Sequence, residues 1–261
     1  MLGNLNFVLL VLFNSLVLTS SLQCYKCDIL LILDDILTDD NIPSISTSPQ
    51  CSLVTASRCR VWFQILLNVK TSIIGVEIET SGPSPSINNS SEEIVTGGIL
   101  LNSRFNDYNT SLSHSVSYES NSKDKSNDEN TIKRLLHSVK IEDEFQQTLS
   151  ALLDPVPSFD PKTAECLIMN NMTTSVCVPP LYESCKRCEI INKNDEFCAT
   201  CNSDAFVVNS IERTKTFVLN NRTQDFSSAS LNCQKQACNT GVYLNLAYQT
   251  SRITFDSSKF K

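Results

Sequence analysis

Glycine is scarce in this chain, with six among 261 residues, and histidine is scarcer, with two. There is one tryptophan, Trp62, and aromatic residues make up only 7% of the whole. Each shortage excludes something. A phosphate cradle needs clustered glycines so that backbone amides can approach the anion, and these six do not supply one. His114 and His137 form no paired metalloprotease motif, and no nucleophile elbow is present. Positive charge is also in deficit. Lys and Arg total 21 against 28 Asp and Glu, a net charge of −7 that argues against nucleic acid or an anionic membrane surface as partner. Cysteine is absent between Cys59 and Cys166, and no charged side chain occurs in residues 1–21.

That uncharged start carries the first positive signal. Phe7 to Phe13 read FVLLVLF, and Leu16 to Leu18 continue the apolar run. Asn14 and Ser15 interrupt it, and it is too short to span a bilayer. Thr19 and Ser21 are small residues at −3 and −1 of a cut before Leu22, so residues 1–21 read as a signal peptide, although a basic n-region is missing. Secretion to the extracellular space follows. N-glycosylation sequons at Asn88, Asn89, Asn109, Asn171 and Asn221 agree, each asking for surface exposure; a chain rich in Asn, Ser and Thr also produces sequons by chance.

Twelve cysteines are present, four between Cys24 and Cys59 and eight between Cys166 and Cys238. The opening LQCYKC places Cys24 and Cys27 in a Cys-x-x-Cys, a spacing shared by metal knuckles, redox pairs and disulfide anchors. Behind a signal peptide, free thiols do not persist and an even count favours full pairing, so disulfide anchors are expected. Cys185, Cys188, Cys198 and Cys201 form two further Cys-x-x-Cys knuckles, the sharpest alternative, because four thiolates suit tetrahedral zinc. Their nine-residue gap is shorter than ribbon spacing, and the compartment favours disulfides here too. No cofactor is expected. The pairing of Cys166, Cys177, Cys185, Cys188, Cys198 and Cys201 stays open.

The chain divides by composition. Residues 22–80 form a first cysteine-rich part, in which RVWFQILLNVKTSIIGVEIETSG reads as two strands meeting near Gly75. Residues 81–130 are rich in Ser and Asn and read as a flexible insertion, too weakly apolar to offset chain entropy. Residues 131–160 read as an amphipathic helical segment, with Ile132, Leu135, Leu136, Val139, Phe145, Leu149 and Leu152 near helical spacing before Pro155. In it, Glu142-Asp143-Glu144 is expected to be a solvated face and His137 a surface residue. Residues 161–240 form a second cysteine-rich part, with two short strands in 205–221, and 241–261 a tail able to add one more strand. No tandem repeat is visible.

The two ends together resemble the lymphocyte antigen 6/urokinase receptor family of three-finger domains. The resemblance rests on Leu22-Gln23-Cys24-Tyr25-Lys26-Cys27, on Cys59 before a strand, and on the closing Cys233-Gln-Lys-Gln-Ala-Cys238-Asn239. It covers about sixty residues at the start and ten at the end of the core. It implies Cys24–Cys59, Cys27–Cys51 and Cys233–Cys238 bridges, with Asn239 as a structural asparagine inside the knot near the first strand. The fold class it implies is a small disulfide-rich all-β protein of three-finger-like hairpins, carrying a long insertion that is partly disordered and partly helical. The chain departs from the family in length, in Asn232 where a cysteine often stands, and in its spacing from Cys166 to Cys201. Its polar end, RITFDSSKFK, lacks a lipid-anchor tail, so no membrane anchor is expected.

The function expected is that of a secreted, non-enzymatic binding protein, presenting disulfide-anchored loops to an extracellular or membrane protein. Ile73-Ile74-Gly75 and Asp34-Asp35 are the candidate loop tips. A zinc module and a secreted hydrolase with an unrecognised site are the alternatives.

Overall fold

Alternation of apolar and polar residues builds most of the molecule. Val61 and Phe63 are buried while Arg60 is exposed, and Leu112, Val116 and Tyr118 are buried with serines between them. A period of two puts each set on one face of an extended chain. The computed structural model describes residues 21–79, 93–103, 110–154, 159–160, 164–171, 185–194, 196–203, 208–219 and 224–260. Within them the protein is mostly β-sheet, with few helices and several disulfides.

The strands are β1 Leu22–Cys27, β2 Leu31–Leu33, β3 Cys51–Ala56, β4 Arg58–Leu66, β5 Thr71–Glu79, β6 Glu93–Ser103 and β7 Thr110–Ser120. Then come helix α1 Glu129–Ser138, β8 Val139–Asp143 and a one-turn helix α2 Phe145–Thr148. The later elements are β9 Met169–Asn170, β10 Arg187–Lys193, β11 Glu196–Asn202, β12 Ser210–Val218, β13 Gln224–Cys233, α3 Gly241–Gln249, β14 Ser251–Phe255 and α4 Ser257–Phe260. Ten strands form one antiparallel sheet in the order β2-β5-β4-β7-β6-β12-β13-β10-β11-β9. β1 pairs with β3, and β8 with β14, in two small sheets.

Several expectations are corrected here. Within the stretch 81–130 the described residues are not a flexible insertion, because β6 and β7 sit at the middle of the large sheet. Leu112, Val116 and Tyr118 hide among serines there, and their alternation supplies a buried face that bulk composition conceals. The hairpin of β4 and β5 turns at residues 67–70, where Lys70 adopts a φ of 52°, and not at Gly75. Gly75 lies mid-strand under the indole of Trp62, where an added Cβ would stand 2.2 Å from Cε2. Residues 131–160 supply α1, a strand and short turns of helix rather than one helical segment. Within 205–221 the described residues form one long strand, β12. The end of the chain is no tail. α3 buries Leu244 and Ala247, β14 buries Ile253, and the Phe260 ring lies 5.1 Å from that of Tyr118.

The order of the large sheet reads the same from both ends: β5-β4-β7-β6 faces β12-β13-β10-β11. The register is the same in both halves. Cys59 pairs with Ser120 as Cys188 pairs with Cys233. Arg60 pairs with Glu77 as Glu189 pairs with Thr200. α1, β8 and α2 follow one another at the same spacing as α3, β14 and α4. A local two-fold relation therefore runs through the molecule. On it Gly98 faces Thr214 in the β6–β12 pair, and Ile141 faces Ile253 in the β8–β14 pair. The Glu144 amide donates to the Thr250 carbonyl and the Asp256 amide to the Ser138 carbonyl, at 2.9 and 2.8 Å, a reciprocal exchange. The small sheet rests on Gly97, whose absent side chain leaves room for Ile253 Cγ2 (2.7 Å from a Cβ built there). One continuous core spans both halves, from Val61 and Ile74 to Ile211 and Leu231. Each such fully buried aliphatic side chain is worth about 2 kcal/mol.

Candidate binding surface

Disulfides bound the knots at one end of each half. Cys24 is bonded to Cys59 and Cys27 to Cys51, closing the β1–β3 hairpin at its far end. Cys166 is bonded to Cys188, Cys185 to Cys201 and Cys233 to Cys238. Cys198 is also disulfide-bonded, and Cys177 lies outside the described residues. This overturns the zinc alternative: Cys185, Cys188, Cys198 and Cys201 hold their sulfurs in covalent bonds, and no thiolate remains to ligate a metal. Among the described residues no group of three or more metal-ligating side chains forms.

Each knot is centred on a buried asparagine. Asn239 Oδ1 accepts from the Leu167 amide at 2.8 Å, and its Nδ2 donates toward the carbonyls of Leu167, Glu189 and Thr200. It therefore serves the second half, not the first strand. The residue beside the first strand is Asn127, which sequence reasoning missed. Its Oδ1 accepts from the Tyr25 amide at 2.9 Å, and its Nδ2 donates toward the carbonyls of Tyr25, Arg60 and Glu77. Ser126-Asn127 corresponds to Cys238-Asn239, but without its cysteine the motif gave no signal. Lys125 and Ala237, two places before each asparagine, share a left-handed backbone, with φ of 53° and 51°.

Between the sulfurs of Cys27 and Cys51 runs a long loop, residues 28–50. Its backbone is tied at several places. The Asp28 amide donates to the Gln50 carbonyl at 3.0 Å. The Leu37 amide donates to Ser72 Oγ at 2.7 Å, and Ser72 Oγ donates in turn to the Asp35 carbonyl. Asn41 bridges the Thr38 amide and the Ile36 carbonyl. Glu129, in the first turn of α1, accepts from the amides of Ile45 and Ser46 and from the Ser46 hydroxyl. Burial opposes ionisation of Glu129, but these donors outweigh it and hold its carboxyl below the ordinary value of 4.5. Leu37 and Ile45 plug the loop into the core.

What the loop leaves outside is apolar and acidic. Ile29, Leu30 and Ile32 are 53%, 47% and 64% exposed. Asp28, Asp34, Asp35 and Asp40 are exposed in the same loop, and no Lys or Arg occurs from residue 28 to 57. Among the described residues β2 is an outermost strand of the large sheet. Asp34 and Asp35 thus stand at an exposed bend. Ile73-Ile74-Gly75 is not a tip: it lies mid-strand, with Ile74 fully buried against β4.

The histidines are placed apart. His114 Nε2 meets the carboxylate of Asp143 at 2.6 Å, joining β7 to β8, so the middle of Glu142-Asp143-Glu144 is buried rather than solvated. The strand period of β8 turns that one side chain inward. His137, half-exposed, meets Asp39 at 2.6 Å. Among the described residues no serine hydroxyl is bonded to either ring, and no cysteine is free. Of the sequons, Asn171 is described and exposed, with Oδ1 accepting from the Phe197 amide. Asn88, Asn89, Asn109 and Asn221 lie outside the described residues, as do residues 1–20 of the segment 1–21 expected to be a signal peptide. Among the described residues no helix is long and apolar enough to cross a membrane.

Compared with family models, with curated proteins and with solved structures, the chain matches none.

Proposed function

We propose that this protein is a secreted, extracellular, non-enzymatic binding protein that presents the loop 28–50 to a partner protein in the extracellular space or on a cell surface. The disulfides support the compartment, since such bonds persist where the milieu is oxidising. Each half is read as a three-finger-like unit: β1/β3, β4/β5 and β6/β7 are the hairpins of the first, β10/β11 and β12/β13 those described in the second. The observation that carries the proposal is the contrast within one loop. Its backbone is tied to Ser72, Glu129 and Gln50, yet Ile29, Leu30 and Ile32 face solvent. A loop already ordered loses little entropy on binding, and exposed apolar side chains gain most from being covered. The acidic surround selects a partner face with an apolar centre and a cationic rim.

The test is binding of secreted protein to a panel of receptor ectodomains, read by biolayer interferometry. An Ile29→Ser, Ile32→Ser double variant is expected to weaken any specific binding about a hundredfold. Undiminished binding by that variant overturns the assignment of the surface.

A further inference from the structure

In the second half a cavity of ≈ 600 Å³ opens where β10 ends, β13 begins and α3 passes over them. Its walls are unlike the rest of the core. Asn192, Asn194 and Asn245 contribute amides, Asp225 a carboxylate, and Phe226 and Tyr248 aromatic rings. Among the described residues no aliphatic side chain and no Lys or Arg lines it. Lys215 is paired with Asp225 and the Arg213 guanidinium lies over the Tyr248 ring, so the described lining itself presents amides, a carboxylate and hydroxyl groups.

The polar groups are set in place. Tyr248 donates its hydroxyl to Asn192 Oδ1 at 2.6 Å, and the Ser227 amide donates to Asn194 Oδ1 at 3.2 Å. With those oxygens engaged, each amide offers its Nδ2 as donor. Lys215 Nζ stands 2.6 Å from Asp225, and its hydrogen bond and charge hold the Asp225 carboxyl below its ordinary range, so the group is an ionised acceptor. The Arg213 guanidinium stacks 4.2 Å from the Tyr248 ring centroid and holds that ring. Phe226 is among the lining residues and is 41% exposed. Donors, an acceptor and an aromatic plane at one opening match a ring with adjacent hydroxyls on its edge and C–H bonds on its face.

The first half supplies a control. By the shared register, Phe63, Ile65 and Leu112 stand where Asn192, Asn194 and Asp225 stand. Phe63 and Leu112 belong to the core, and Ile65 packs against it. The polar set is thus a local replacement of packing residues and not a feature of the architecture.

We propose that this cavity binds a neutral sugar unit of a glycan. The sugar can come from a partner's glycan or from one carried at the Asn221 sequon, four positions before Asp225 in the sequence. The experiment uses the full secreted chain, as wild type and as Asn221→Gln, on an array of neutral and anionic glycans. Retention on neutral glycans is expected, lost about tenfold in Phe226→Ala and in Asn245→Leu, both exposed positions, with the disulfide map unchanged. Retention by Asn221→Gln alone identifies the chain's own glycan as the occupant. No retention by either form, retention of anionic glycans only, or retention unchanged in Phe226→Ala overturns the proposal. The Ile29→Ser, Ile32→Ser variant retains glycans normally, so this site and the loop 28–50 fail separately.

Discussion

The two halves share a topology, a register and a central asparagine, yet they are stabilised by different means. The second half carries three bridges among its described residues, and Cys198 is bonded as well. The first carries two, both on the β1–β3 hairpin and its junction with β4. Where the second half has Cys233, the first has Ser120, and where it has Cys238 the first has Ser126, both buried. The first half compensates with packing and charge. Phe145, in the turn beside β7, is fully buried, as are Leu149 and Leu153 in the turn that follows. On its solvent face, Arg58 and Arg60 interleave with Glu77, Glu79 and Glu119 in a lattice of ion pairs at 3.1–3.5 Å. A network of this kind adds more than isolated surface pairs, which contribute little. The comparison teaches that in this molecule cross-links and core are interchangeable supports, whereas the asparagine at the knot has no substitute.

That last statement is the one to break first. Asn127→Ala and Asn239→Ala each strand buried backbone groups of three separate segments. Each is expected to lower stability by roughly 3 kcal/mol and to abolish most secretion. Equal losses in chemical denaturation support equivalent roles. A loss for Asn239→Ala alone would mean that the first half does not use its asparagine as the second does.

The join between the halves comes next. A valine at Gly97 drives its side chain into Ile253 and Val139 and lifts the β8–β14 sheet. Gly97→Val is expected to cost about 2 to 3 kcal/mol and to separate one thermal transition into two. Halves that merely sat side by side would melt unchanged.

Much of this was legible, and the rest was hidden for definable reasons. The resemblance of the two ends to three-finger domains implies the bridges of the first hairpin and of the closing loop, and with them a structural role for Asn239, which follows Cys238. Asn127 has no such cysteine before it. From 126 to 145 against 238 to 257, the sequences share little beyond Asn127/Asn239 and Ile141/Ile253, so the duplication shows only in the register. β7 was obscured because serine fills its outer positions and swamps Leu112, Val116 and Tyr118 in any average. The stretch TGVYLNLAYQTSRITF supplies the one expected strand as β14, whereas α3 before it was hidden because Val242, Tyr243, Leu244 and Tyr248 favour extended chain, a preference overridden by packing of Leu244 and Ala247 one turn apart. Asn192 and Asn194 lie far in sequence from Asp225 and Asn245, so their convergence depended on the sheet and the helix over it.

A smaller change sharpens the difference in cross-linking. Ser120→Cys with Ser126→Cys introduces the pair that the second half uses. Ser126 Oγ lacks a hydrogen-bond partner, so little is lost there, while Ser120 gives up acceptance from the Ser122 and Lys123 amides. A net gain of about 1 to 2 kcal/mol is expected under oxidising conditions and none after reduction, read from denaturation midpoints. Two free thiols in the double variant would show that the serines do not occupy the places of the cysteines.

The smallest expected effect concerns the loop 28–50, which the described part of the second half does not match. Its anchor, Glu129, has a depressed folded-state pKa, so the stability it contributes is present above the unfolded value of 4.5 and is lost as pH falls through the lower folded value. Acidification below 4.5 is therefore expected to release residues Ile45 and Ser46 while the covalent frame holds. Hydrogen exchange should show faster exchange of those two amides by about fivefold, equivalent to about 1 kcal/mol, with the amides of Tyr25 and Leu167 unaffected. Glu129→Gln should produce the same release at neutral pH and remove the pH dependence. If the Ile45 and Ser46 amides stay protected in that variant, the loop is held by the burial of Leu37 and Ile45 and not by its carboxylate anchor.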